Sequence, residues 1–271
     1  MNFGQALVAL KYHAECLNPF QSELLVKKAP HGLHFRIHKR DAVGRGIYKH
    51  GAHEPVLTEW IGARFAKPGT ARHFVDIGAN IGYFTCIFSK LAGPQGSVMS
   101  FEPEPNNHRL LLENIALNGL LNITAERVAL GSKTDTAVLN IYKKSNRGRH
   151  SMVESKGASQ IQIQVKRLDD ALEDAGAADQ TFDLMKIDVE GYEPFAVEGA
   201  TKAMERTRAL AMEFSPDLLA KVQVDPEAFL LRTQRAFDSI LLVTELGVRP
   251  SSVDECLSLG KQIDIVLEKK A

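Results

Sequence analysis

From about residue 73 the chain alternates short, strongly apolar runs with runs whose apolar residues recur every three or four positions. His73 to Ile77 (HFVDI) predicts a buried strand. In Ile81 to Leu91, Phe84, Ile87, Phe88 and Leu91 fall at helical spacing until Gly93 ends the run. Ser97 to Phe101 predicts a second strand and Ile123 to Leu130 a third. Pro105 to Asn118 between them predicts a helix, with Pro105 in its first turn and Gly119 just past its end. Further strands are predicted at Thr181 to Val189, Arg208 to Phe214, Ser239 to Thr244 and Ile263 to Leu267, and helices at Pro194 to Arg206 and Pro226 to Phe237. Strands alternating with helices predict an α/β fold, a mostly parallel sheet with helices on both faces.

Two stretches break this rhythm. Residues 1–70 are mixed and punctuated by Pro19, Pro30, Pro55 and Pro68, and are expected to pack as an N-terminal segment on a catalytic domain of residues 71–271. Residues 132–168 hold two alternating runs, Ala137 to Tyr142 and Gln160 to Val165, around a polar loop, and predict an inserted β-hairpin. Loops of that length in compact domains are usually functional or mobile. Residues 143–159 are therefore expected to cover an acceptor site.

Composition narrows the class. The 271 residues carry 33 Lys plus Arg and 33 Asp plus Glu, a formal net charge of zero, which argues against a dedicated nucleic-acid binder. With 44% hydrophobic and 24% charged residues the chain reads as an ordinary globular protein. No apolar run approaches a membrane span. The three cysteines, Cys16, Cys86 and Cys256, show no disulfide or zinc spacing. Reduced thiols, no leader peptide and a cytoplasmic location are expected.

The sharpest chemical feature is FVDIGANIGYFT, Phe74 to Thr85. A strand ends near Asp76, a turn containing Gly78, Ala79, Asn80 and Gly82 follows, and a helix begins. Such a turn at the carboxyl end of a parallel strand is a ligand cradle. Asn80 stands where a dinucleotide motif has its second glycine, and Asp76 would repel a pyrophosphate but suit an ammonium group. A purely structural strand–helix turn is the plainer alternative. Glu102, twenty residues beyond Gly82, ends the next strand, where a carboxylate can accept both ribose hydroxyls of a nucleoside. Asp76 near an α-amino group and Glu102 on a ribose together describe S-adenosyl-L-methionine.

A second cluster, LMKIDVEGYEPF (Leu184 to Phe195), carries Lys186, Asp188, Glu190 and Glu193 at the end of an apolar strand. Alternation puts Lys186 and Asp188 on one side. Carboxylates gathered at one mouth are costly unless they bind protons, cations or donors. A solvated helix start, favoured by the dipole, is the plainer reading of Glu190 and Glu193. Glu213, in AMEFSP, is expected to face the same region.

These pieces in their order, FVDIGANIGYFT, FEPEPNN, LLLENIALNG, VALG, VKRLDD, LMKIDVEGYE and EFSP, resemble the FkbM family of S-adenosylmethionine-dependent methyltransferases over about Asp41 to Pro216. The lead-in RDAVGRGIYKHGAHEP, with Tyr48 and Glu54, resembles the family too. The resemblance implies a Rossmann-like class I methyltransferase fold with a seven-stranded sheet. It implies bound S-adenosyl-L-methionine and methylation of a hydroxyl on a sugar or natural-product-type small molecule. Asp76, Gly78, Ala79, Asn80, Gly82, Glu102, Pro103, Val128, Ala129 and Asp188 are then the cofactor positions, with backbone contacts at Ala129. Asp188 and Glu190 are the candidate bases, Lys186 orients them, and His150 is the reserve base. Arg147 and Arg149 beside it can hold an acidic group on an acceptor.

None of the nine histidines forms a metal pattern, and no metal is expected. A divalent cation between Asp188, Glu190 and Glu213 is the lesser variant. The rival classes are a nicotinamide-dependent oxidoreductase, disfavoured by GxNxG, and a catalytically silent nucleoside-binding protein. A nucleic-acid methyltransferase is disfavoured by the zero net charge. A small-molecule or glycan acceptor is expected, with no nucleic-acid partner; the sequence gives no oligomeric state.

Overall fold

The computed structural model describes residues 3–17, 22–67, 71–142, 150–153 and 159–270. The chain opens with α1 (Phe3–Leu17), a hairpin of β1 (Leu24–Lys28) and β2 (His34–His38), then α2 (Ala42–His50) and α3 (Pro55–Arg64). The regular part runs β3 (His73–Ile77), α4 (Tyr83–Ala92), β4 (Ser97–Phe101), α5 (Pro105–Leu117) and β5 (Ile123–Glu126). The insert holds β6 (Ala129–Leu130), β7 (Asp135–Ile141) and β8 (Ser159–Lys166). It leads into α6 (Leu168–Asp174), β9 (Leu184–Ile187), α7 (Glu193–Glu198), α8 (Thr201–Glu205) and β10 (Ala209–Phe214). The chain ends with α9 (Pro216–Lys221), α10 (Pro226–Gln234), β11 (Ser239–Thr244), β12 (Gly247–Ser251), α11 (Val253–Ser258) and β13 (Ile263–Glu268).

The main sheet has eight strands in the order β12-β11-β13-β10-β9-β3-β4-β5, one more than expected. From β10 to β5 neighbours are parallel, whereas β13 runs antiparallel to both β10 and β11. The additional strand, β12, folds back on β11 at the sheet's edge, where Pro250 lacks a donor but needs none on its open side. Two further expectations are corrected. The run Ile123 to Leu130 is two strands, because β5 stays beside β4 while β6 leaves to pair with β8. The β7–β8 hairpin and β6 thus form a separate three-stranded sheet. The helix expected over Pro194 to Arg206 breaks in two at Gly199, whose backbone packs so closely on Gly131 that a Cβ would stand 1.9 Å from its carbonyl oxygen.

Alternation along the strands sorts the core into two faces. Val75, Ile77, Met185, Ile187, Met212 and Phe214 pack under α6 to α8 and α10. Phe74, Leu184, Ala209 and Ala211 pack on the other face under α4, together with Phe35, Ile37, Ile47 and Ile61 from the N-terminal elements. Asp76 and Lys186 share this second face and are register partners across β3 and β9. Two asparagines of the LLLENIALNG segment hold β2 in place. Asn114 Oδ1 accepts the Arg36 N–H at 2.7 Å, and its amide nitrogen donates to Ile81 O at 2.8 Å. Asn118 Oδ1 accepts the His34 N–H at 2.8 Å and its amide donates back to His34 O at 2.7 Å. Among the described residues no helix is long and apolar enough to cross a membrane. The three cysteines are free thiols.

Candidate functional site

The loop after β3 closes onto β4. The N–H groups of Gly78 and Ala79 both donate to Phe101 O at 3.0 Å. Gly78 has φ +82°, and a Cβ there would stand 1.9 Å from the Asp188 carbonyl oxygen. The glycine therefore lets the ends of β3 and β9 touch. That is a structural demand of the chain itself, beyond any clearance for a ligand. Gly82, also at φ +82°, caps α4, and a Cβ would strike the Leu111 side chain.

Asn80, at φ +51°, turns its N–H to Glu102 Oε2 at 2.8 Å, while Glu102 Oε1 accepts the Glu104 N–H at 2.9 Å. Burial pushes the Glu102 carboxyl up to about 8, against the pull of those two N–H groups. Asn80 Oδ1 is buried without a hydrogen-bond partner. Both residues line a narrow cleft with Gly78, Phe101, Pro103, Val128, Ala129, Leu130, Leu139, His150, Met152, Asp188, Glu190 and Tyr192. Apolar walls, a carboxylate with spare lone pairs and an unpaired amide oxygen suit a nucleoside: a flat base between the walls and hydroxyls toward Glu102.

Asp76 and Ala79 line a smaller adjoining cavity with His53, Tyr83, Lys186 and Asp188. Asp76 is buried and accepts the Thr85 hydroxyl. Burial raises its carboxyl to about 6, while Lys186 and Thr85 pull it down. Of the ten expected cofactor positions, seven line the cleft, Asp76 and Ala79 line this cavity alone, and Gly82 lines neither.

The β9 end carries the second cluster. Lys186 is 5% exposed, its Nζ lying 2.8 Å from Asp188 Oδ2, 4.0 Å from Glu54 Oε2 and 4.7 Å over the Phe84 ring. Burial alone would lower its ammonium, but Asp188, Glu54 and Asp76 outweigh that and hold it above the ordinary lysine range. Glu54 in turn takes His53 Nε2 at 3.0 Å. Burial opposes its charge, yet Lys186 and His53 bring it down to about 2. Tyr48, from the same lead-in, packs against the Tyr12 ring and under Lys27.

Asp188, Glu190 and Glu213 each bring a carboxylate oxygen within 4.8 Å of the others. Glu213 is 8% exposed, and burial with the nearby carboxylates pushes it up to about 10. Glu193 takes no part in the group, since its Oε1 accepts the N–H groups of Val189 and Gly191 and braces the loop. His150 lies at the cleft, its Nδ1 accepting the Tyr142 N–H at 3.1 Å. Next to it, the Ser151 hydroxyl donates to Glu190 O at 2.9 Å. Arg147 and Arg149 lie outside the described residues, as does most of the 143–159 loop.

Sequence reasoning missed His53, Gln262 and Asp264. Gln262 donates to Glu213 Oε2, and Asp264 is the register partner of Glu213 across β10 and β13. His53 directly precedes Glu54 at the start of α3, an available signal; Gln262 and Asp264 reach the site only through strand order.

A Rossmann-like sheet whose glycine turn closes on a carboxylate at the end of the next strand defines a nucleoside-cofactor enzyme fold. The profile of the methyltransferase FkbM domain matches residues 76–242, and the chain belongs to that family. It is 31% identical over 153 residues to methyltransferase sdnD of Sordaria araneosa, covering 46% of this chain and 59% of the relative. It is 27% identical over 143 residues to methyltransferase 1 of Beauveria bassiana (strain ARSEF 2860), covering 46% and 57%. The chain thus spans somewhat over half the length of these curated relatives. An FkbM methyltransferase structure from Methylobacillus flagellatus KT superposes with a TM-score of 0.42 at 20% identity, covering 73% of this chain and 43% of that one. The assignment rests on the profile match. The chain thus carries a domain of the S-adenosyl-L-methionine-dependent FkbM methyltransferases, and the oxidoreductase alternative is not favoured.

Proposed function

We propose that the protein methylates a hydroxyl group on a sugar or natural-product-type small molecule. The observation that carries this reading is the Lys186–Asp188 ion pair at 2.8 Å, buried on its lysine side and open to the cleft on its aspartate side. S-adenosyl-L-methionine supplies a methyl group on a positively charged sulfur. An alcohol must lose a proton as it attacks, and a positioned base contributes ~10²–10⁴ in rate. Asp188 takes that proton. Lys186 holds one oxygen of Asp188, and Glu54, itself held by His53, lies against Lys186, so the carboxylate is oriented before the acceptor arrives. Glu190 is the second candidate for the proton, and His150 borders the same cleft. On the cofactor side, Glu102 would accept the ribose hydroxyls, Pro103, Val128 and Ala129 would flank the base, and Asp76 with Asn80 would hold the amino-acid end.

The test is turnover with S-adenosyl-L-methionine and a panel of hydroxylated acceptors, read by mass spectrometry of the methylated product. A methyl ether supports the reading. Transfer to nitrogen or carbon, with hydroxyl-only acceptors inert, overturns it.

A further inference from the structure

The carboxylate group at the β9 and β10 ends lies where two spaces meet. Asp188 and Glu190 line the cofactor cleft. Behind Glu213 stands Gln262, which lines a wide, open groove of about 630 Å³ together with Glu54, Thr244 and Asp264. Glu213 thus reaches that groove only through Gln262.

Three carboxyl oxygens within 4.8 Å of one another must share protons or a cation between them. Lys186 reaches the cluster through Asp188 Oδ2. Glu213 supplies an independent observation. It is 8% exposed, its Oε2 is occupied by Gln262, and its Oε1 is fully buried with no hydrogen-bond partner. An unpaired buried acceptor is expensive, and more so when charged. Glu213 sits inside β10, so the strand pairing to β13 keeps its backbone from withdrawing. The spread also fits an ion: two oxygens bound at ~2.0–2.6 Å on opposite sides of one cation are ~4–5 Å apart.

We propose that Asp188, Glu190 and Glu213 hold a divalent, oxygen-preferring cation of the Mg²⁺ or Mn²⁺ type. An all-oxygen set of side chains selects such hard ions over zinc or copper. Three protein ligands leave coordination positions for water or for hydroxyls of an acceptor. A hydroxyl bound to the cation is a stronger acid than a free one, which lightens the demand on Asp188. Cation binding stands apart from the hydroxyl-methylation reading; only the ligation of an acceptor rests on it.

The experiment uses the full chain, dialysed against a chelator and titrated with Mn²⁺, with free ion followed by electron paramagnetic resonance. One site is expected per chain. Glu213→Gln should weaken it at least ~10-fold, and Gln262→Leu, which leaves the ligand but removes its support, should weaken it ~10-fold or more. Unchanged S-adenosyl-L-methionine affinity in both variants shows that they are folded. No Mn²⁺ binding at millimolar ion, or equal affinity in wild type and a folded Glu213→Gln, overturns the site. Mn²⁺ bound at this site with chelator-insensitive turnover leaves the site standing and removes its role toward the acceptor.

Discussion

Replacing Glu102 with alanine separates a ligand contact from a structural one. The carboxylate accepts two backbone N–H groups, from Asn80 and Glu104, and still has lone pairs facing the cleft. A ribose hydroxyl donating to an ionised carboxylate is worth ~1.5–3 kcal/mol, so losing one such bond costs ~10- to 100-fold in cofactor affinity. Stability moves less, because two effects oppose. Truncation leaves two N–H groups short of a partner, at ~1–3 kcal/mol each. It also removes a buried carboxyl whose rise from 4.5 to about 8 keeps it protonated at pH 7, at a cost of about 3 kcal/mol. At pH 7 roughly nine in ten ligand-free molecules then carry the proton on Glu102. Hydroxyl donors favour the ionised form, so cofactor binding should release close to one proton and tighten between pH 6 and 9. Calorimetry at pH 7 in two buffers of different ionisation enthalpy reads both quantities. Wild-type affinity in Glu102→Ala, or a binding enthalpy independent of buffer, would refute the placement of the ribose.

Asp188→Asn should lower turnover at least ~100-fold while cofactor affinity, measured by calorimetry, changes little; the reverse pattern makes Asp188 a cofactor ligand. Gly78→Ala should destabilise the fold by at least ~2 kcal/mol in urea titration, because its Cβ meets the Asp188 carbonyl oxygen and its φ is +82°. The ligand-free protein should lose stability as pH rises from 5 to 8. Burial raises Asp76 to about 6, Glu193 to about 7 and Glu102 to about 8, so across that window the native state holds protons that the unfolded chain has released. Glu54, held down at about 2, works the other way, but its contribution is complete above the ordinary glutamate value and fades only toward acid. A melting temperature that climbs through this window would contradict the burial of those carboxyls.

Much of the sheet was legible because its strands are almost wholly apolar and end at glycines or prolines. Ser239 to Thr244 is β11 to the residue, and HFVDI and SVMSF are β3 and β4. Elements were missed where local pattern and tertiary pairing part company. β12 contains Pro250, which demotes a run read by itself, and only its neighbour β11 makes it a strand. β6 is two residues long and owes its conformation to β8. α6 and α9 hold seven and six residues, too few for helical spacing to declare itself. The Lys186–Asp188 pair followed from strand alternation. Its extension to Glu54 and His53 did not, since it depends on the start of α3, with Glu54 at φ +43°, reaching Lys186 through the fold.

The asparagine pair on α5 carries a consequence for how the chain can be divided. Asn114 and Asn118 present their amides to alternate residues of β2 as a neighbouring strand would, and Asn114 also ties the loop at Ile81. A shortened chain beginning after β2 would strip Asn114 and Asn118 of their partners on β2 and uncover the apolar face that Phe35 and Ile37 fill, next to the very turn that forms the cleft. The hairpin of residues 24–38 is thus a splint for that turn. Boundaries drawn at the family match, residues 76–242, would cut through the scaffold on which the cleft depends.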